Sequence, residues 1–133
     1  MTVVAIDDTD SRETGMCTTY AAHLVADRLE RSGATVDRVL LVRLNPAVEH
    51  KTRGNAALAV HADCDPGDGF DVAREVVGTG AQVADPRTNP GVVAAPGSPE
   101  AVPESVAAFA RTAVRDHHSI ADAEKIGRAS CRE

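Results

Sequence analysis

The sequence predicts an α/β (α+β) domain in which helices cover a small mixed sheet, in the order β-α-β-β-α-β-α. Three observations carry that expectation. Short apolar, β-branched runs alternate along the chain with segments of helical periodicity. The breaks between them are rich in Gly, Pro, Asn and Asp, and no internal repeat or low-complexity linker interrupts the alternation. The 133 residues are 43% hydrophobic and 26% charged, as in ordinary globular proteins, but only 2% aromatic, so the core must be built from Val, Leu and Ala. The order resembles a split βαβ arrangement.

The elements follow from local pattern. Val3, Val4, Ala5 and Ile6 form a continuous apolar run, expected of a strand buried on both faces. Residues 16 to 32 read as a helix with Ala21, Leu24, Val25 and Leu29 on one face and Asp27, Arg28, Glu30 and Arg31 largely opposite, ended by Ser32-Gly33. Thr35 to Leu44 is rich in Val and Leu and reads as a central strand, broken by Asn45-Pro46. Ala56 to Val60 resumes as a strand with Leu58 and Val60 on one face. The stretch 63 to 69, DCDPGDG, spaces carboxylates like a calcium loop, but Asp68 stands where an EF-hand needs glycine and Arg74 where it needs glutamate. It is expected to be a solvated turn before a helix at Phe70 to Val77. Val92 to Ala95 is a short strand, and Pro103 opens a last helix with Val106, Phe109, Ala110, Ala113, Val114 and His117 on its buried face.

Function classes are bounded by charge and cysteine usage. A net charge of -6 argues against a broad basic face for nonspecific nucleic-acid binding. The scarcity of Lys among many Asp, Glu and Arg residues fits a protein of saline surroundings, where net charge maintains solubility. Cys17, Cys64 and Cys131 form no CxxC pair, which specifies neither a disulfide framework nor a zinc site. Cys17 reads as a small buried thiol in preference to a nucleophile. No stretch approaches a membrane span, and MTVVAI lacks a basic leader, so the expected location is the cytoplasm, with no membrane partner.

Chemistry is suggested where the first strand ends. Asp7, Asp8 and Asp10 crowd three carboxylates into four residues, which repel unless a cation neutralises them. Hard oxygen ligands suit magnesium, which commonly bridges to phosphates. Gly15 lets the backbone turn closely, and Cys17, Thr18 and Thr19 enter the first turn of the next helix, where free N–H groups attract anions. The same residue types also make a polar, helix-capping turn, but one aspartate suffices for that and the others would add only repulsion. A second cluster, His50-Lys51-Thr52-Arg53-Gly54-Asn55, brings two cations, a hydroxyl and an approachable glycine together, as a triphosphate needs, although short basic loops are also common on solvated surfaces.

Taken together, IDDTDS, GMCTTY, RLNPAVEHKTRGN and TNPGVV resemble the N-terminal part of the archaeal tRNA-isoleucine 2-agmatinylcytidine synthetase (TiaS) family, and the acidic, lysine-poor composition resembles a haloarchaeal member. The resemblance covers residues 1 to about 124. It implies a kinase-like domain of a C–N bond-forming ligase that uses ATP and Mg2+ to activate the wobble cytidine of an isoleucine tRNA, which agmatine then attacks. It also implies metal and phosphate chemistry at Asp7, Asp8 and Asp10, with Thr18 as the phosphate-accepting threonine and Thr19 beside it. Gly15, Lys51, Arg53, Gly54 and Asn55 would bind nucleotide, while Asn89, Pro90 and Gly91 match a loop without an assigned role. Glu13-Thr14 enlarges the polar loop before Gly15, and the chain stops before the family's OB-fold and zinc-ribbon parts. The remaining string, KIGRASCRE, breaks the helical pattern and resembles a translated sequencing adapter, so 125–133 is expected to be a non-native tail. Two other classes compete: a haloacid-dehalogenase-like phosphatase, through Asp8-Thr9-Asp10, and a noncatalytic module binding ATP or tRNA.

Overall fold

The computed structural model describes residues 1–7, 18–43, 56–80, 91–113, 121–122 and 125. The chain divides into two compact units, Met1–Ser98 and Pro99–Glu133.

In the first unit the elements run β1 (Thr2–Asp7), α1 (Thr18–Arg31), β2 (Thr35–Arg43), β3 (Ala56–Asp63), α2 (Pro66–Gly80) and β4 (Gly91–Pro96). The four strands form one sheet in the order β2-β3-β1-β4. With the chain order β-α-β-β-α-β, this is the split βαβ, or ferredoxin-like, topology. The sheet expected to be mixed is antiparallel in all three ladders, because β3 inserts between the parallel strands β1 and β2 and separates them.

Both helices pack on one face of this sheet, α1 over β2 and β3, α2 over β1 and β4, and they touch each other. Val4 and Ile6 of β1, Leu58, Val60 and Ala62 of β3, Ala21, Ala22, Val25, Ala26 and Leu29 of α1, and Ala73, Val76 and Val77 of α2 form the buried core. Small residues compensate for the missing aromatics by letting backbones approach. A β-carbon on Gly69, in the first turn of α2, would lie 2.7 Å from Cγ2 of the fully buried Val4, so α2 rests directly on β1.

Two strand expectations are corrected. β1 is central but alternates, with Thr2, Val4 and Ile6 buried and Val3, Ala5 and Asp7 only half-buried, because α1 and α2 cover a single face. β2, expected to be central, is an edge strand, and Val39, Leu40, Leu41 and Val42 are all at least 42% exposed. An apolar run reports the tendency to form a strand and not its rank in the sheet, which here follows from the insertion of β3.

Helix ends are set by local chemistry. Gly33 has φ +104° and follows α1. Its N–H donates to the Glu30 carbonyl at 3.1 Å, and Ala34 N–H donates to the Leu29 carbonyl at 3.0 Å, the paired bonds of a Schellman stop. β3 continues past Val60 to Asp63, and α2 begins at Pro66, four residues before the expected start, inside the DCDPGDG stretch. Asp65 is its N-cap: Oδ2 accepts from the N–H of Gly67 at 3.0 Å and of Asp68 at 3.4 Å, while Pro66 occupies the first helical position, where no donor is needed.

In the second unit a 3-10 turn at Pro99–Ala101 precedes α3 (Glu104–Ala113), which Pro103 opens by accepting from the N–H of Val106 and Ala107. Arg111 pairs with Glu104. Val106 and Phe109 are half-buried as expected of the apolar face, but Ala110 is exposed. Val114 and His117 lie outside the described residues.

Candidate functional site

The end of β1 is flanked on both sides. In the ladders Asp7 stands opposite Ala57 of β3 and Gly91 of β4, and the pairing of Arg43 with Ala56 closes the same end of the β2–β3 ladder. Since β1 and β2 run in the same direction, α1 between them must return the other way, which brings its first residue, Thr18, to the end of the sheet where β1 finishes. At that end the chain leaves or rejoins the described fold at Asp7, Thr18, Arg43, Ala56 and Gly91.

Each sequence motif borders one of these points: IDDTDS departs at Asp7, GMCTTY leads into α1 at Thr18, RLNPAVEHKTRGN joins Arg43 to Ala56, and TNPGVV enters β4 at Gly91. The topology thus gathers the anchors of four motifs that lie far apart in the sequence. Asp8, Asp10, Gly15, Lys51, Arg53, Gly54 and Asn55 lie outside the described residues, as do Cys17, Asn89 and Pro90. Of the two threonines, Thr18 is buried and Thr19 is exposed, which sets Thr18 on the sheet side of the first turn of α1.

Gly91 had no role on sequence grounds, and the structure supplies a contact. A β-carbon there would lie 2.8 Å from Oδ1 of Asp7, so the carboxylate occupies the space a side chain would take. Sequence could have flagged the glycine of TNPGVV but not its neighbour, because the ladder register is a long-range property.

The opposite end of the sheet has different chemistry. A cleft of about 460 Å3 opens between the C-terminal end of α1 and the start of α2, lined by Asp63, Asp65, Asp68 and Asp71 together with Cys64. Among the described residues these side chains form no group that could hold a metal ion, and without one the carboxylates repel phosphate. Burial, reinforced by Asp68, Asp65 and Asp63, pushes the Cys64 thiol above its ordinary pKa against the opposing hydrogen bond from Thr2, which keeps it a neutral thiol and a poor nucleophile. The Thr2 hydroxyl also donates to the Cys64 carbonyl at 2.6 Å and ties the start of β1 to the β3–α2 connection.

The fold and the gathered motifs define an α+β domain of ferredoxin-like topology in which an acidic strand end and a helix N-terminus share one end of the sheet, a layout suited to phosphate chemistry. The chain belongs to the family described as the TiaS TCKD domain, whose model matches residues 3–130. It is 53% identical over 92% of its length to the isoleucine-tRNA 2-agmatinylcytidine synthetase TiaS of Haloquadratum walsbyi and 40% identical over 98% to that of Pyrococcus horikoshii. It spans 27% and 30% of those two proteins. Among solved structures, a complex of TiaS with an isoleucine tRNA and ATP superposes with a TM-score of 0.77 at 39% identity, over 94% of this chain and 30% of that one. A complex of TiaS with an isoleucine tRNA, AMPCPP and agmatine gives 0.71 at 37% identity, over 94% and 29%. Among the described residues no helix is long and apolar enough to cross a membrane.

Proposed function

We propose that this chain is the ATP-using part of a tRNA-modifying ligase, which activates the wobble cytidine of an isoleucine tRNA by phosphorylation so that agmatine can be joined to it, in the cytoplasm. The observation that carries the reading is the convergence of Asp7, Thr18, Ala56 and Gly91, the anchors of four motifs, on one end of the sheet. The relatives' names and their complexes with ATP, isoleucine tRNA and agmatine support it.

In this reading Asp7, Asp8 and Asp10 hold Mg2+ against the phosphates of ATP. Asp7, whose carboxylate stands at the strand end beside the bare backbone of Gly91, fits such a hard cation. When bound, the metal neutralises charge that builds on the transferred phosphoryl group. Lys51 and Arg53 supply cationic donors to the phosphate oxygens, and Gly15, Gly54 and Asn55 allow close backbone approach. Thr18 presents a hydroxyl at the positive end of α1 as acceptor of the γ-phosphoryl group, with Thr19 adjacent; as the new O–P bond forms, the bond from the γ-phosphorus to the bridging oxygen breaks, the rest of the nucleotide leaves with that oxygen, and a carboxylate among the three aspartates takes the hydroxyl proton.

Calorimetry with ATP, with and without Mg2+, tests the site. Asp8→Asn and Asp10→Asn should each weaken Mg2+-dependent binding, and unchanged affinity and metal dependence in both variants would remove the assignment. The noncatalytic reading predicts binding without phosphate transfer, and an aspartyl phosphatase predicts label on Asp8 instead of Thr18. We also propose that 125–133 is a non-native tail on a domain spanning 1–124, although the family match extends to residue 130. Resequencing of the source locus decides this: a genome encoding IGRASCRE in frame before a stop codon makes the tail native.

A further inference from the structure

We propose that Gly91 is a positioning residue whose missing side chain holds the Asp7 carboxylate in its working orientation, an inference that rests on the proposed role of Asp7 in ATP binding. Gly91 opens β4 and pairs directly with Asp7 across the β1–β4 ladder. An ideal β-carbon at Gly91 would sit 2.8 Å from Oδ1 and 3.8 Å from Cγ of Asp7, and the first distance is shorter than real β-carbons tolerate.

Backbone conformation does not explain the glycine. Positive φ is confined, among the described glycines, to Gly33 and Gly97, so an L-residue could adopt the main-chain conformation of Gly91. The face does not explain it either. Two residues along the same face, β4 carries Val93, which is 62% exposed and stands opposite Ala5 across the ladder. What distinguishes position 91 is the carboxylate opposite. On its other side Asp7 faces Ala57, a single methyl. The carboxylate therefore lies beside small residues at the sheet end from which the IDDTDS segment departs, in space that a side chain on β4 would fill.

A methyl group at position 91 forces the carboxylate into another rotamer or pushes β4 away from β1. The first response turns the oxygens away from the bound nucleotide; the second loosens the ladder. Either response is transmitted through Asp7, which distinguishes this role from a general preference for glycine.

The test is a double-mutant cycle in the 133-residue chain, with Gly91→Ala, Asp7→Ala and both together, read by thermal melting and by Mg2+-dependent ATP calorimetry. The crowded oxygen ends a rotatable side chain, so Gly91→Ala should lower the melting temperature only slightly, and that small loss should vanish in the double variant, where the clash is gone. Gly91→Ala should also weaken ATP binding, by between about tenfold and a hundredfold, as expected for a misplaced ligand group. In the Asp7→Ala background, Gly91→Ala should change ATP affinity less than about twofold. Gly78→Ala, with nothing within 4 Å of its added carbon, is the control and should leave ATP affinity unchanged. Wild-type melting and affinity in Gly91→Ala, or equal losses with and without Asp7, overturn the inference. If Asp7→Ala itself binds ATP normally, the proposed role of Asp7 fails and takes the functional half of the inference with it, whereas loss in Asp7→Ala beside normal binding in Gly91→Ala overturns the Gly91 role alone.

Discussion

Thr18 separates a structural from a chemical role in one side chain. It is the first described residue of α1 and is buried, a position compatible with a helix cap and with the phosphoryl acceptor proposed above. Thr18→Ala as the loss of a cap alone should cost about 1 kcal/mol of stability and leave phosphate transfer intact. As the loss of an acceptor it should abolish protein labelling by γ-labelled ATP while ATP still binds, and Thr18→Ser should keep some label; we expect this second pattern. Phosphopeptide mapping in a full-length relative reads the difference, and label absent from this threonine would leave only the cap. Cys64 makes the opposite case, a nucleophile type held inert. Its folded pKa is raised by burial, so between the unfolded and folded values the native state holds the proton that the unfolded state has lost. The associated stability is intact below the unfolded pKa and is lost as pH rises through the raised, folded one. Iodoacetamide should therefore modify Cys64 slowly at pH 7.5 and much faster above pH 9, as followed by peptide mass mapping; rapid reaction at pH 7.5 would count against the shift.

Among the elements, α2 shows how local chemistry extends a helix beyond its apolar pattern. The carboxylate of Asp65 satisfies two backbone N–H groups and Pro66 needs no partner, so the turn expected at DCDPGDG becomes the first turn of the helix. Asp65→Ala should lower stability by about 1 kcal/mol, while Asp65→Asn should retain most of it, measurable by urea unfolding. β2 teaches the reverse. Its VLLV run reads as the inside of a sheet, yet among the described strands it lies at an edge, with apolar side chains exposed. Such an edge promotes association. Leu41, 52% exposed, can be replaced by Lys, whose aliphatic stem keeps the contact while its charge discourages pairing. Leu41→Lys should reduce concentration-dependent light scattering and shift stability by less than about 0.5 kcal/mol.

For the whole molecule, the net charge of -6 and the acidic cleft make self-repulsion a global term. Salt screens it, the Debye length falling from about 10 Å at 0.1 M to about 3 Å at 1 M. The melting temperature should therefore rise between 0.1 M and 2 M KCl, and a fall would show that the carboxylates are compensated locally. The ion pair that joins α1 to α2, Arg28 with Glu75 at 3.5 Å, is exposed on both sides and contributes little to oppose that trend. The two ends of the sheet differ: carboxylates line the cleft at one end, and at the other, beside Asp7, the chain rejoins the described fold at Ala56.

How much of this was legible in the sequence depends on the range of the forces involved. The order of elements, the Schellman stop at Gly33, the buried face of α1 and the candidate residues Asp7 and Thr18 are legible because caps, turns and periodicity act within a few residues. That β3 inserts between β1 and β2, that β2 is an edge, and that Asp7 faces Gly91 depend on pairings between residues far apart in the chain, which no local pattern encodes. The sequence determined which groups were available for phosphate chemistry. Only the tertiary structure decided that their anchors share one end of the sheet, because antiparallel pairing and the return of α1 bring strand ends together regardless of the chain between them.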